Sequence, residues 1–170
     1  MGDDITVRPW RTGDGEGAAA VWRDTGRYFA DLDPALFREP DGAGLGAWLD
    51  GLTTGEDSLR LVAERDGVIV GLLGATLHRP IATAGRQLQS DFARIRLHID
   101  NIGVASGRRR DGVGTALMAA AEEWGIARGA EVELLESTAC NAPANEFYER
   151  HLGFTAQAIT FRRKLADPDR

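Results

Sequence analysis

Residues 106–117 read SGRRRDGVGTAL, and the hydrophobic period changes from one side of them to the other. Before them, residues 92–104 alternate, with Ile95, Leu97 and Ile99 on one side and Arg94, Arg96, His98 and Asp100 on the other, which predicts a strand with one polar face. After them, Val113, Leu117, Ala120, Trp124 and Ala127 follow each other at helical spacing, and Gly129 supplies a stop. The stretch is therefore a glycine-bearing turn from strand to helix. It lacks the third glycine of a dinucleotide fingerprint, since Leu117 stands there, and it lacks the lysine of a phosphate-binding P-loop. Three arginines beside Asp111, in a chain of net charge −6, make a poor nucleic-acid patch. What the residues do predict is a helix start near Gly112 whose backbone N–H groups face outward without a Cβ in the way. Such a start binds anions, and the neighbouring guanidiniums add charge-assisted bonds.

Outward from this turn the chain reads as α/β, in the order β α α β β β α β α β. Ile5 to Arg8 alternates and ends at Pro9, predicting a short edge strand. Asp14 opens a helical region in which Gly26 and Asp33-Pro34 are expected to bring a break, and residues 44–52 form a second short helix. Residues 59–64 and 68–73 flank Asp66-Gly67, a dipeptide suited to a tight hairpin turn. Residues 79–90 read as a loop, 132–135 as a buried strand, 142–150 as a short helix, and 154–165 as a last strand or strand pair. One domain over residues 1–165, with a charged tail at 166–170, fits a chain of 170 residues.

Composition narrows the function. The single cysteine, Cys140, excludes an internal disulfide framework, and His78, His98 and His151 show no metal-ligand spacing, so no metal is expected. No run approaches the roughly 18 apolar residues of a membrane span, and a cytoplasmic protein is expected. The negative charge favours a cationic partner over nucleic acid or membrane. Oligomeric state is left open, a homodimer included.

Ile102-Gly103-Val104 followed by Arg109-Arg110-Asp111-Gly112-Val113-Gly114-Thr115 resembles the acetyl-CoA signature of the GNAT superfamily of N-acetyltransferases, Arg/Gln-x-x-Gly-x-Gly/Ala. Downstream, Asn141-Ala142-Pro143-Ala144-Asn145-Glu146-Phe147-Tyr148 and then Gly153-Phe154 is similar to the family's second signature. The resemblance implies the GNAT fold, a mixed central sheet flanked by helices with splayed strands at the cofactor site. It implies acetyl-CoA as acetyl donor, with the backbone at Ile102 and Val104 meeting the pantetheine, residues 109–115 holding the pyrophosphate, and Asn141 contacting the cofactor arm. The acetyl group would pass directly to a primary amine of a small molecule or peptide. A CoA-binding sensor without turnover is the alternative.

Chemistry then selects residues. A lysine-like amine with a pKa of about 10.4 is neutral in roughly one molecule in 10³ near pH 7, so a group must take its proton. Asp100, which matches an acidic family position, and His98 on the same strand face can do so directly or through water. Tyr148 remains protonated at neutral pH and suits the acid that meets the leaving thiolate. Cys140 has no histidine and carboxylate arrangement beside it and reads as a buried small hydrophobe. Trp22, Tyr28, Phe29 and Trp48 stand where the resemblance places the acceptor pocket, with the 79–90 loop. Two departures from the family pattern are visible: Tyr148 precedes Gly153 by five residues where four is commoner, and Ser106 replaces a frequent proline.

Overall fold

In the structure, a computed structural model that describes residues 4–52 and 55–165, Asp66 and Gly67 adopt φ of 52° and 74°. Both signs are those of a hairpin turn whose twist matches its strands, here β2 (Ser58–Arg65) and β3 (Val68–His78). Strand β1 (Thr6–Pro9) pairs antiparallel with β2, and its proline stands at the strand end on the sheet's edge. Strand β4 (Arg96–Val104) runs antiparallel to β3, and β5 (Val132–Leu135) runs parallel to β4. The sheet is mixed, in the order β1-β2-β3-β4-β5. Strand β4 begins later than its alternation predicts, because residues 90–93 close a 3-10 turn in which Arg94 N–H donates to Asp91 O at 3.0 Å. The described chain divides after Glu136 into two compact units, and the tail at 166–170 lies outside the described residues.

Within the first unit, helix α1 (Asp14–Leu32) runs unbroken through Gly26, contrary to the expected division. A Cβ at Gly26 would lie 2.3 Å from Pro40 Cδ, so the glycine admits the returning chain rather than ending the helix. Arg8 fixes the helix start, donating to both carboxylate oxygens of Asp14 at 2.7 and 2.8 Å, and its hydrogen bonds hold the Asp14 carboxyl below the usual range. Ala18 and Val21 of α1 pack with Leu45 and Leu49 of α2 (Leu45–Gly51) and with Leu72 of β3. On β4, a Cβ at Gly103 would meet Thr25 Oγ1 at 2.6 Å, so this glycine lets α1 lie directly on the strand.

Helix α3 (Val113–Ile126) covers the other face. Its buried row is Val113, Leu117, Met118, Ala121 and Gly125 rather than the expected stripe through Ala120, Trp124 and Ala127. Leu97 sits where a Cβ on Gly125 would be, at 2.8 Å, which draws the four-apart row onto the sheet. Trp124 turns to the flank, where the Arg128 guanidinium lies 4.3 Å from its ring centre.

Glu133 of β5 sits opposite Leu97, and its Oε1 is buried without a hydrogen-bond partner. Burial first, and the charge of Glu122 second, push its carboxyl from 4.5 to about 7. Between those values the unfolded chain releases this proton while the folded chain keeps it. Stability present below pH 4.5 is therefore lost as pH rises through about 7. Glu133→Gln removes that loss. Urea unfolding at pH 8 is expected to find the variant more stable by about 2 kcal/mol, allowing for the side chain's partial exposure, with the difference shrinking toward pH 5. A difference independent of pH would contradict this account of Glu133.

In the second unit, α4 (Ala142–Glu146) continues into a π-helical turn at Phe147–His151. The strand expected over 154–165 does not form: these residues take part in no ladder, and Ile159 and Phe161 are 80% and 91% exposed.

Candidate functional site

Strand β4 frames the site in the first unit. It pairs with β3 from Arg96 to Val104, but with β5 only over Arg96–Ile99. From Asp100 onward no strand among the described residues covers its other edge, so alternate backbone groups of residues 100–104 face away from the sheet unpaired by a ladder. The parting coincides with a bulge: Ile99 pairs with Ala75 and Asn101 with Gly74, leaving Asp100 as the extra residue.

The bulge turns the Asp100 carboxylate onto the α1 face of the sheet. One oxygen accepts from Thr76 Oγ1 at 2.7 Å, and the other lies 2.8 Å from His98 Nδ1. The two residues singled out in the sequence thus form one unit. With the imidazole neutral, this contact keeps its proton on Nδ1 and leaves Nε2 as the basic atom. Edge contact with His78, at 5.9 Å between ring centres, further fixes the ring.

Beyond Val104 the chain makes a 3-10 turn at Ser106–Arg108 and reaches α3 through two left-handed residues, Arg110 at φ 68° and Gly112 at φ 82°. Gly112 is the helix N-cap, and no side chain caps the helix. Ala116 N–H donates to Gly112 O at 3.0 Å, so the N–H groups of Val113, Gly114 and Thr115 precede the helix's own acceptors. Successive amides in such a turn make an anion-binding concavity. The Asp111 carboxylate is drawn off by buried Arg65 of β2, at 3.2 Å, which offsets the negative charge closest to the cradle.

Arg109 is tied back into the fold. Its Nε donates to Val104 O at 3.2 Å, its Nη2 lies 3.6 Å from Asp24 of α1, and its guanidinium lies 4.3 Å from the Tyr28 ring centre. Asp24 also accepts from Ser106 N–H at 2.5 Å. The arginine expected to grip an anion thus closes the turn, while Arg110 is exposed.

A cavity of about 380 Å3 opens on the α1 face of the sheet. Asp100, Asn101 and Thr76 mark its β4 side, Arg60 its β2 side, and Trp10, Trp22 and Trp48 its walls. Of the four aromatic residues expected at an acceptor pocket, Trp22 and Trp48 line this cavity. Tyr28 and Phe29 do not line it; Phe29 packs on Phe37, and no residue of the 79–90 loop contributes.

In the second unit, Asn141 is buried and caps α4 through its backbone, its carbonyl accepting from Asn145 N–H at 3.0 Å. Leu152 N–H donates back five residues to Phe147 O at 3.2 Å, so the extra residue between Tyr148 and Gly153 is absorbed as a π-bulge. The Tyr148 ring is held by Phe147 and Phe154, at 5.5 and 6.0 Å between centres, and burial pushes its phenol up. Cys140 is not the buried hydrophobe expected: it lies exposed in the turn before α4, with Thr138 Oγ1 at 3.1 Å from its sulfur.

The sequence profile of the "Acetyltransferase (GNAT) family" matches residues 17–154. The chain belongs to this family. A rice protein described as "Acetyl transferase GW6a" is 31% identical over 86 residues, which is 51% of this chain but only 20% of that protein's length. Among solved structures, a mutant of the BH1408 protein from Bacillus halodurans superposes with a TM-score of 0.80 at 21% identity, covering 95% of this chain and 99% of that one. The aminoglycoside N-acetyltransferase AAC(6')-Iy in complex with CoA does so with a TM-score of 0.68 at 18% identity, covering 98% of each. At such identities these neighbours establish the GNAT fold. No helix among the described residues is long and apolar enough to cross a membrane.

For this GNAT chain, sequence reasoning missed Thr76, Arg65, Asp24 and Trp10. Each acts across the fold on a residue of the signature stretch or the cavity, and none carries a local pattern that marks it. Only Arg65 left a trace, as a charge at the end of the buried run Leu61-Val62-Ala63.

Proposed function

We propose that this chain is an acetyl-CoA-dependent N-acetyltransferase that passes the acetyl group directly to a primary amine of a small molecule or peptide within a ternary complex. The observation that carries the reading is the uncapped start of α3, with Gly112 left-handed, placed directly after the edge of β4 that β5 leaves uncovered. The donor set suits a pyrophosphate on a thioester arm: amides of Gly112, Val113, Gly114 and Thr115 and the exposed Arg110, with the Asp111 carboxylate held by Arg65. The backbone at Ile102 and Val104 would take the arm, with Asn141 contributing from the second motif. Arg109 supports this set by shaping the turn. Acetyl-CoA, when bound, supplies an acetyl group activated by a good leaving sulfur.

The remaining chemistry is proton handling. Asp100 holds the Nδ1 proton of His98, so Nε2 accepts the proton that the ammonium of the acceptor must lose, directly or through water. Thr76 occupies the other Asp100 oxygen and stops it from rotating away. Tyr148 keeps its proton at neutral pH because burial raises its phenol, and it donates that proton to the departing sulfur. Cys140 takes no part. A cytoplasmic setting agrees with acetyl-CoA as donor and with a single unpaired cysteine.

Initial rates of thiol release with both substrates varied test the direct transfer. Double-reciprocal lines are expected to intersect, and Cys140→Ala is expected to leave them unchanged. Parallel lines, abolished in Cys140→Ala, would instead mean a covalent acetyl-enzyme.

A further inference from the structure

We propose that the acceptor is a monoamine carried on one flat apolar body, an arylalkylamine in chemical class, and not a polycation. This rests on the acetyltransferase reading above and concerns the cavity on the α1 face. Its volume of about 380 Å3 lies near the lower end of the roughly 300–1,000 Å3 usual for ligand pockets. That is room for one ring system and a short linker.

Charge decides against a polycation. Asp100 is the one acidic residue lining the cavity among the described residues, and it stands on the β4 side beside Asn101. On the opposite side stands a guanidinium. Arg60 pairs with Gly74, which pairs with Asn101, so the two ends are two strand spacings apart, roughly 10 Å. The Arg60 cation is fixed in place: Nη2 donates to Leu49 O at 2.8 Å, Nη1 to Leu52 O at 3.3 Å, and the group lies 3.7 Å from the Trp10 ring centre. Asp50, like Asp14, partly offsets the Arg60 charge. It lines the adjoining cavity, which Arg60 also lines, and accepts from Trp10 Nε1, Gly13 N–H and Gly15 N–H, each at 3.1 Å.

An ammonium drawn to Asp100 therefore leaves the rest of the acceptor among indoles, with a fixed cation ahead of it. A second ammonium about 8 Å from Arg60, at an effective dielectric of about 20, is opposed by that cation by at most roughly 30-fold, less the offset from Asp50 and Asp14. A planar ring instead gains from Trp22 and Trp48, while the Asn101 amide covers Gly74 between the two ends. The whole-chain charge of −6 points to a cationic acceptor, but the lining limits it to one positive charge.

The test is thiol release by the full chain at saturating acetyl-CoA, with 2-phenylethylamine and tryptamine against spermidine and kanamycin. The arylalkylamines are expected to exceed the polycations about 10-fold in kcat/KM. Trp48→Ala, altering a residue 53% exposed, should raise KM for 2-phenylethylamine about 10-fold while leaving KM for acetyl-CoA unchanged. Arg60→Met should narrow the gap by improving spermidine. Equal or greater kcat/KM for spermidine or kanamycin would overturn the inference and leave the acetyltransferase reading intact. If no amine releases thiol, that reading fails, and the cavity is judged by titrating tryptophan fluorescence with 2-phenylethylamine. Saturable quenching that is lost in Asp100→Asn supports the assigned acceptor class; no saturable change overturns it.

Discussion

Gly114→Glu is expected to weaken acetyl-CoA binding at least 100-fold while leaving thermal stability unchanged or raised. Gly114 lies in the first turn of α3, whose start has no capping side chain and no acidic residue. A glutamate there improves helix propensity by roughly 0.5–1 kcal/mol over glycine and interacts favourably with the helix dipole. The same carboxylate, however, stands among the amides proposed to hold a pyrophosphate, where its bulk and charge oppose the ligand. Calorimetric titration together with a thermal melt separates the two effects. Gly112 is a poorer position for this experiment, because its φ of 82° makes any side chain there strained whatever it does to the ligand.

Tyr148→Phe is expected to lower kcat by about 10² or more with little change in KM for acetyl-CoA, the range that loss of a general acid gives. Phenylalanine preserves the ring contacts with Phe147 and Phe154 and removes only the hydroxyl. The sign with pH follows from the direction of the shift. Burial raises the phenol above its ordinary 10.0, so the parent retains its acid across neutral and mildly alkaline pH. The variant should fall furthest behind with amines whose own proton is already lost, where sulfur departure limits the rate. Unchanged kcat in Tyr148→Phe would remove the residue from the chemistry and leave it as packing between two phenylalanines.

The turn chemistry was the most legible part of this sequence. Asp66-Gly67 and Gly129 each do locally what their residue types allow, with φ of 52°, 74° and 84°. The uncapped helix start was legible for the same reason, since a glycine N-cap is a property of the chain itself. The misreadings all lie where a partner distant in sequence decides. Gly26 looked like a helix break and is instead the room needed by Pro40. Trp124 looked buried by phase, but Leu97 against Gly125 rotates the helix so that a different row meets the sheet. Alternation in residues 154–165 tells which way side chains would face in a strand and nothing about whether a neighbouring strand is there to pair with.

The site divides along the same line. Asp100, His98 and the glycines of the signature were visible as residue types at their spacing. That Asp100 is a bulge residue holding both Thr76 and His98 depends on the register between β3 and β4, which no local pattern encodes. Arg109 was read as a pyrophosphate ligand from the resemblance of its turn to the family signature. Its pairing with Asp24, across the sheet-covering helix, makes it a brace of the turn in this structure.

The central claim is that the start of α3 holds the pyrophosphate of acetyl-CoA. Its most direct test compares calorimetric titrations of acetyl-CoA and S-acetylpantetheine, which share the thioester and the arm and differ by the pyrophosphate-bearing nucleotide. Acetyl-CoA is expected to bind at least 100-fold more tightly to the parent chain, and Gly114→Glu is expected to erase most of that difference. Equal affinity for the two compounds, or a difference that survives Gly114→Glu, would contradict the assignment of the cradle.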